Sequence, residues 1–506
     1  MFTKLRQGKC RFGVVMAITT WLLGGCSLQN DYATPSVTQP REWTVPAESQ
    51  AQEVAPYWWA ALHDPAIDRM VKATYLHNPT LDQAIAAIDE ARAQVGIRRA
   101  DYFPVLSVNG NISKANTEVT SGGGNGGVGA AGTQGIIIGN NRTSQIGPSL
   151  SWELDLFGRI RSSVEASQRR LDARTADAES TKLSLAVQVA NTVLDWRACT
   201  HTVQVNENEI LSRKKTLELI RQKITAGFTP QVDAASVERD MAAVESSMAA
   251  QQEACMRDVN ALVELTGQPH DTVRADLALP LKATTVPAGS IAAFMPSAPV
   301  ATPKLPASVL LNHPSVIAAD RDAAAAWAEI GVARADRLPR IDLSAALNYQ
   351  WITVAGSTIG LTTWSLGPGI AATLFDGGKG AANIEASQAR YRQAVANLEA
   401  TVRATVKEVE NALAAQQSAA TRLASSQRAA NAAQYAFSAT QAQWDMGIAS
   451  LLELEDARRQ QATAQDNLIL AARDQATAWV GLVNATANSL TLTQSQLHAA
   501  DPVPPS

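Results

Sequence analysis

Glu165-Ala166-Ser167-Gln168 recurs letter for letter as Glu385-Ala386-Ser387-Gln388. The same displacement carries Gly147-Pro148 onto Gly367-Pro368 and Gly227 onto Gly447. Upstream, Asn78-Pro79 opens a stretch that closes in Gly96-Ile97-Arg98-Arg99-Ala100-Asp101 and then Pro104. His313-Pro314 opens a matching one that closes in Gly331-Val332-Ala333-Arg334-Ala335-Asp336 and then Pro339, with a somewhat larger displacement. Self-similarity at a fixed offset marks a duplicated structural unit. The difference between the two offsets must fall between Pro104 and Pro148, where the glycine-rich tract 121–135 lies. The first copy therefore carries the longer loop.

Each copy reads helix, strand, loop, strand, long helix, tight turn, helix. In the second, Ile341, Leu343, Ala345, Leu347, Tyr349 and Trp351 alternate with mostly polar residues, and so do Trp364, Leu366 and Ile370 through Leu374. In the first, Leu106, Val108 and Ile112, then Ile146, Leu150, Trp152, Leu154 and Leu156, do the same. Alternation over about 10 residues with aromatics near the ends is the pattern of an outer-membrane barrel strand. Four strands do not close a barrel, since single-chain bacterial barrels begin at about eight, and lipid does not tolerate open sheet edges. Several chains must contribute, and three copies supply twelve strands.

Between Gly158 and Gly227 the chain has neither proline nor glycine. A helix of that length is roughly 100 Å long at about 1.5 Å per residue. Its counterpart runs from Ala381 to Met446, where Val395, Leu398, Val402, Val406, Val409 and Leu413 step by three and four in a coiled-coil rhythm. Both long helices stop at a glycine turn, Gly227-Phe228-Thr229 and Gly447-Ile448-Ala449, and return. Cys199 and Cys255 are equidistant from Gly227, one before it and one after. That symmetry sets them side by side on the two arms and predicts a disulfide.

The N-terminus carries Lys4, Arg6, Lys9 and Arg11 ahead of an apolar run from Phe12 to Gly25. This is a secretory signal, too short to span a membrane comfortably. Leu23-Gly24-Gly25-Cys26 resembles a lipoprotein cleavage site, which implies acylation at Cys26. Loss of the four cations moves the formal charge from −4 to −8, which argues against nucleic-acid binding. No later apolar stretch reaches spanning length, so further membrane contact falls to the strands.

The expected organisation is a signal peptide (1–25), an anchored extended segment (26–56), a first repeat (57–277, β-hairpin 105–156), a proline-rich linker (278–309), a second repeat (310–487, β-hairpin 340–375) and a tail (488–506). Asp31-Tyr32-Ala33-Thr34-Pro35, Trp58-Trp59, Asp64-Pro65, Asn78-Pro79 and Leu81, followed by the two tip segments, resemble the outer-membrane efflux family of the TolC and OprM type. Within it they are most similar to the NodT lipoprotein branch. The tip segments are Gly227 with Asp233 and Arg239, and Gly447 with Glu453, Asp456 and Arg459. The likeness covers the chain from Cys26 to about Asn484.

That resemblance implies a mainly α fold with a membrane β-barrel, built from duplicated helical hairpins. It implies a homotrimer with a twelve-stranded barrel in outer-membrane lipid and a twelve-helix periplasmic tunnel. The tips meet a periplasmic adaptor and, through it, an inner-membrane pump of the RND type. The resemblance implies a gate in which Leu452 forms an apolar constriction and Asp456 and Arg459 a polar ring. Glu453 falls at an acidic ring and Asp233 at a partner position. Trp444 stands where the family often has tyrosine. Such apolar constrictions gate by dewetting, and acidic rings favour cations.

No enzyme site emerges. Gly124-Asn125-Gly126-Gly127-Val128-Gly129 has dinucleotide-binding spacing but lies between strands, with no helix opening after it. Gly377-Gly378-Lys379-Gly380 lacks the phosphate-loop spacing. The six histidines are scattered away from metal-ligand spacing, and no cofactor is expected. A type I secretion duct and a periplasmic coiled-coil structural or adaptor lipoprotein are the competing readings.

Overall fold

The computed structural model describes residues 31–37, 40–44, 57–119, 137–281, 295–296, 306–354 and 357–487. Cys26, the glycine-rich tract, most of the proline-rich linker and the C-terminal tail lie outside the described residues.

A 3-10 turn (Trp58–Leu62) leads into α1 (Pro65–His77), α2 (Pro79–Ala100), β1 (Val105–Val119) and β2 (Ile137–Leu154). Then come α3 (Arg159–Thr225), α4 (Gln231–Thr266) and the short α5 (His270–Leu277). The second copy follows as α6 (Pro306–Asn312), α7 (Pro314–Ala335), β3 (Arg340–Val354), β4 (Ser357–Ala371), α8 (Lys379–Asp445) and α9 (Leu451–Thr486). The two copies match in helix length: α3 and α8 have 67 residues each, α4 and α9 have 36, and α2 and α7 have 22. The short α5 and α6 were not legible in the sequence. Each is under three turns long, and α6 begins inside the stretch that its prolines mark as a linker.

The chain forms two compact units. Among the described residues, one comprises 31–35, 89–119, 137–172, 321–354 and 357–395 and contains an antiparallel sheet in the order β1-β2-β3-β4. The register sets Leu106 opposite Leu150, Leu150 opposite Ala345, and Ala345 opposite Leu366. One face is therefore apolar, and it is exposed in the single chain: Leu106, Val108, Ile112, Trp364, Leu366 and Ile370 all lie open. The other face is polar. There the Ser107 and Ser149 hydroxyls lie 2.9 Å apart, and Asn109 Nδ2 donates to Ser149 Oγ at 2.8 Å.

The strands run to 15 residues, and to 18 in β2, beyond the apolar band. Main-chain pairing does not depend on side-chain polarity, and Lys114 pairs opposite Arg142. β4 stops at Ala371 rather than continuing through Leu374, because Asp376 gathers the N–H groups of Gly378 (2.9 Å) and Gly380 (2.6 Å) to start α8.

Gly147-Pro148 and Gly367-Pro368 are equivalent in sequence but not in position. Gly367-Pro368 lies on β4, an edge strand within the single chain, where sheet prolines are tolerated. Gly147-Pro148 lies on inner strand β2, and the β2–β3 pairing lapses between Ile146 and Ser149. The strands crowd together at that point. A Cβ on Gly147 would sit 1.9 Å from the Leu347 carbonyl oxygen.

The second unit comprises, among the described residues, 36–37, 40–44, 57–88, 173–281, 295–296, 306–320 and 396–487. Its main core joins Trp58, Trp59, Leu62, Ile67 and Met70 to Val189, Val193 and Leu194 of α3 and to Trp479, Val480 and Val483 of α9. The Trp58 and Trp479 rings lie 5.8 Å apart. Asp64 caps α1 by accepting from the Ala66 N–H at 2.9 Å. The same carboxylate is fully buried against Arg197 of α3, with contacts of 2.5 and 2.8 Å. The Trp-Trp and Asp-Pro pairs of the sequence are thus one device. The tryptophans fill the core, and the aspartate ties the start of the repeat to the long helix. Cys199 of α3 and Cys255 of α4 are joined by a disulfide, with Cα atoms 5.6 Å apart.

Candidate functional site

Both hairpin turns have one geometry. Gly227 (φ 78°) and Gly447 (φ 79°) occupy the left-handed region, which glycine adopts without a Cβ clash. The Gly227 N–H donates to the Ile224 carbonyl and the Phe228 N–H to that of Lys223, both at 2.9 Å. Gly447 and Ile448 repeat this onto Trp444 and Gln443 at 2.9 and 2.8 Å. This paired arrangement satisfies the last helical carbonyls. It leaves Phe228 and Ile448 pointing into solvent, 81% and 73% exposed. Two repeat-equivalent apolar side chains therefore stand at the turns.

After the second turn, Ser450 and Glu453 form a reciprocal capping box. The Glu453 carboxylate accepts from the Ser450 N–H (2.7 Å) and hydroxyl (2.8 Å). These bonds, the backbone one first, hold it below the usual carboxylate range. The first turns of α9 then divide into two faces. Leu454 and Arg458 are buried, and Leu451 packs on the cluster of Leu217, Ile220, Ala234 and Val237. Leu452, Asp456 and Arg459 share the opposite, exposed face. Leu452 is 78% exposed. Asp456 and Arg459 pair with each other, and Gln460 Nε2 donates to Asp456 Oδ2 at 2.6 Å.

The structure thus brings three of the residues expected at the gate onto one helical face and gives Glu453 a capping role. Asp233 lies in the first turn of α4, and within the chain it makes no hydrogen bond or ion pair with Asp456 or Arg459. Trp444 is 7% exposed. The Lys223 ammonium lies 4.7 Å above its ring.

Behind the exposed face lies a charge cluster that was not legible in the sequence. Arg213 of α3 binds Glu209 through Nη2 (2.7 Å) and also pairs with Glu455 of α9. Arg458 pairs with the same Glu455, donates to Thr216 Oγ1 at 3.0 Å, and lies 5.7 Å from the Phe437 ring centre. Arg213 and Arg458 are buried. Burial pulls the Arg458 guanidinium below its ordinary value, with Glu455 opposing. The spacings Glu209–Arg213 and Glu455–Arg458 read as ordinary surface pairs along a helix. Nothing local in them tells that two such pairs face each other across α3 and α9.

The family model for outer membrane efflux protein matches residues 71–268 and 305–488. The toluene efflux pump outer membrane protein TtgC of Pseudomonas putida is 29% identical over 488 residues, covering 93% of this chain and 94% of that one. Nodulation protein T of Rhizobium leguminosarum bv. viciae is 28% identical over 463 residues, covering 91% and 90%. Among solved structures, the outer-membrane channel OprN superposes with a TM-score of 0.77 at 26% identity, over 92% of this chain and 99% of that one. The Campylobacter jejuni CmeC outer membrane channel gives 0.79 at 18% identity, over 94% and 98%. Through both repeats, and with the fold of a TolC-like outer-membrane channel, the chain belongs to the outer membrane efflux protein family.

Proposed function

We propose that this protein is the outer-membrane exit duct of a tripartite RND-type efflux system, passing drugs or other small toxic compounds out of the cell. It works as a homotrimer anchored in outer-membrane lipid through acylated Cys26. The observation that carries this reading is the sheet: four strands, one exposed apolar face and two unpaired edges in the single chain. Lipid requires every backbone group to be paired, so the sheet is completed by further copies, and the apolar face turns to lipid. The relatives named as efflux pump outer membrane proteins support the transport role.

The duct breaks no bond, so its mechanism is a lining and a gate. The exposed Phe228 and Ile448, with the half-buried Thr229 and Ala449 beside them, set by Gly227 and Gly447, dock the periplasmic adaptor. Leu452 supplies an apolar constriction around the trimer axis, and Asp456 with Arg459 forms the polar ring, with Glu453 and Asp233 beside it. Trp444 holds the base of the turn under Lys223. Adaptor docking shifts α9, which opens both rings.

Two experiments test this. A deletion strain should become sensitive to antibiotics, dyes or detergents, and the intact gene should restore resistance. Sensitivity confined to divalent metals would overturn the cargo class. In planar bilayers, Leu452→Ala or Asp456→Ala should raise the conductance of the closed channel several-fold. Conductance unchanged in both variants would sink the gate assignment.

A further inference from the structure

The letter-for-letter repeat builds a cavity. Ser163, Ser167 and Arg170 of α3 line it together with Asn383, Ser387 and Arg390 of α8, and each pair is related by the offset that joins the two copies. Arg98, Arg159, Glu329 and Asp336 complete its charged lining, and its volume is about 280 Å³. The six paired residues fall within about 18 Å of the start of their helices at about 1.5 Å per residue, and those helices begin directly after β2 and β4.

The polar groups are not all satisfied by one another. Ser167 and Ser387 are 6% and 3% exposed, yet neither hydroxyl makes a hydrogen bond among the described residues. Arg159 is held by Glu153 at 2.7 Å, and Arg170 pairs with Glu329. Arg98 and Arg390 make no ion pair among the described residues, and the nearby carboxylates Asp336 and Asp101 act on Arg159. The cavity lining therefore sets four guanidinium groups against two carboxylates, with the Arg98 and Arg390 forks and the hydroxyls of two buried serines unengaged. Guanidinium forks match the geometry of phosphate oxygens.

We propose that this cavity binds a singly charged phosphate group of the phosphodiester class, supplied by a phospholipid headgroup. The Asp336 and Glu329 carboxylates in the lining repel a dianion more than a monoanion. The lipid source rests on the reading that the sheet lies in the outer membrane, because the helix starts then stand at the periplasmic leaflet. The two buried hydroxyls distinguish a built site from a basic surface, since a surface binds through charge alone.

The test uses the full mature protein in dodecyl maltoside, with phosphatidylglycerol, inorganic phosphate and phosphate-free diacylglycerol as probes. Bound lipid is counted by native mass spectrometry and thermal stabilisation is measured beside it. Phosphatidylglycerol should bind the wild type, and diacylglycerol should not. The exposed, unpaired arginines can be changed without opening the core, so Arg98→Gln with Arg390→Gln should weaken binding about tenfold or more. Ser167→Ala with Ser387→Ala should weaken it by a smaller factor, and Arg92→Gln, whose arginine pairs with Asp89 on exposed α2, should leave it unchanged. Phosphatidylglycerol binding that millimolar phosphate does not displace identifies the lipid as the source. Displacement by phosphate identifies a soluble anion at the same site and overturns the lipid assignment. Equal binding in all variants, or none in the wild type, overturns the proposal. Channel conductance of the arginine variants, recorded in bilayers, should match the wild type and tests the duct reading separately.

Discussion

Asp258 and Asp466 are carboxylates held where charge is poorly solvated. Burial is the larger cause in both, with Asp195 adding at Asp258 and Glu209 at Asp466, and each is pushed up to about 6. Both are raised in the folded state, so between about pH 4 and 6 the native protein binds more protons than the unfolded chain. Stability therefore falls as pH rises through that window. Asp258→Asn with Asp466→Asn should melt above the wild type at about pH 7.5, and the gap should close as pH falls toward about 4.5. Burial lowers His201 and His313, which gives the opposite slope below about pH 6.5. It is common to both proteins and cancels in the difference. A gap independent of pH, followed by circular dichroism melting, would remove the carboxylates from the account. The buried cluster makes a second claim at this scale. Glu455→Gln removes the carboxylate that Arg213 and Arg458 share and leaves Glu209 and the more distant Asp240, at 3.8 Å from Arg213, and a broken buried pair costs about 3–5 kcal/mol. The melting temperature should drop by several degrees. The apolar double replacement Arg213→Met with Glu455→Leu should recover much of the loss.

At the scale of elements, the fold was legible where the chain repeats itself. One offset carries both ends of α3 onto α8 and of α4 onto α9, because a duplicated hairpin keeps its length when its partner must match it. What was not legible is what depends on the partner. Gly147-Pro148 and Gly367-Pro368 are identical in sequence, and only strand order puts one inside the sheet and the other at its edge. Gly147→Ala should therefore disrupt β2–β3 and abolish assembly in detergent, while Gly367→Ala, with open space around its Cα, should assemble normally. Equal behaviour of the two, by gel filtration, would show that the crowding at Leu347 is relieved. The face proposed for the gate is suggested only by family likeness. Leu452, Asp456 and Arg459 look like any helix start, and their common exposure appears only once α9 is packed. The disulfide was legible from spacing about Gly227. It closes a separation of 56 residues, worth about 2–4 kcal/mol by chain-entropy reasoning. Cys199→Ser with Cys255→Ser should speed amide exchange in the tip-side halves of α3 and α4. The second hairpin has no such link, and exchange in α8 and α9 should stay as it was.

At the scale of the whole molecule the sheet decides the assembly. β1 and β4 each pair on one side only within the chain, and a lone four-stranded sheet with Leu106, Val108, Trp364 and Leu366 bare would be an aggregation template rather than a stable surface. Closure of the proposed barrel would join β4 of one copy to β1 of the next. Two copies give eight strands, which side chains fill, and three give twelve, which leaves room for a lumen. A conducting duct therefore favours the trimer on geometry alone. The mature protein in detergent should have a protein mass about three times that of one chain when measured by light scattering. Proline placed in β4 at a main-chain N–H that points away from β3 should release monomers, because it removes a bond to the next copy while leaving β3–β4 pairing intact. Proline at a β4 position whose N–H serves β3 damages the chain's own sheet instead, and the two outcomes separate by folding as well as mass. A monodisperse monomer that still conducts would contradict closure between copies. A trimer that persists with the outward N–H removed would move the assembly contact from the strands to the helices.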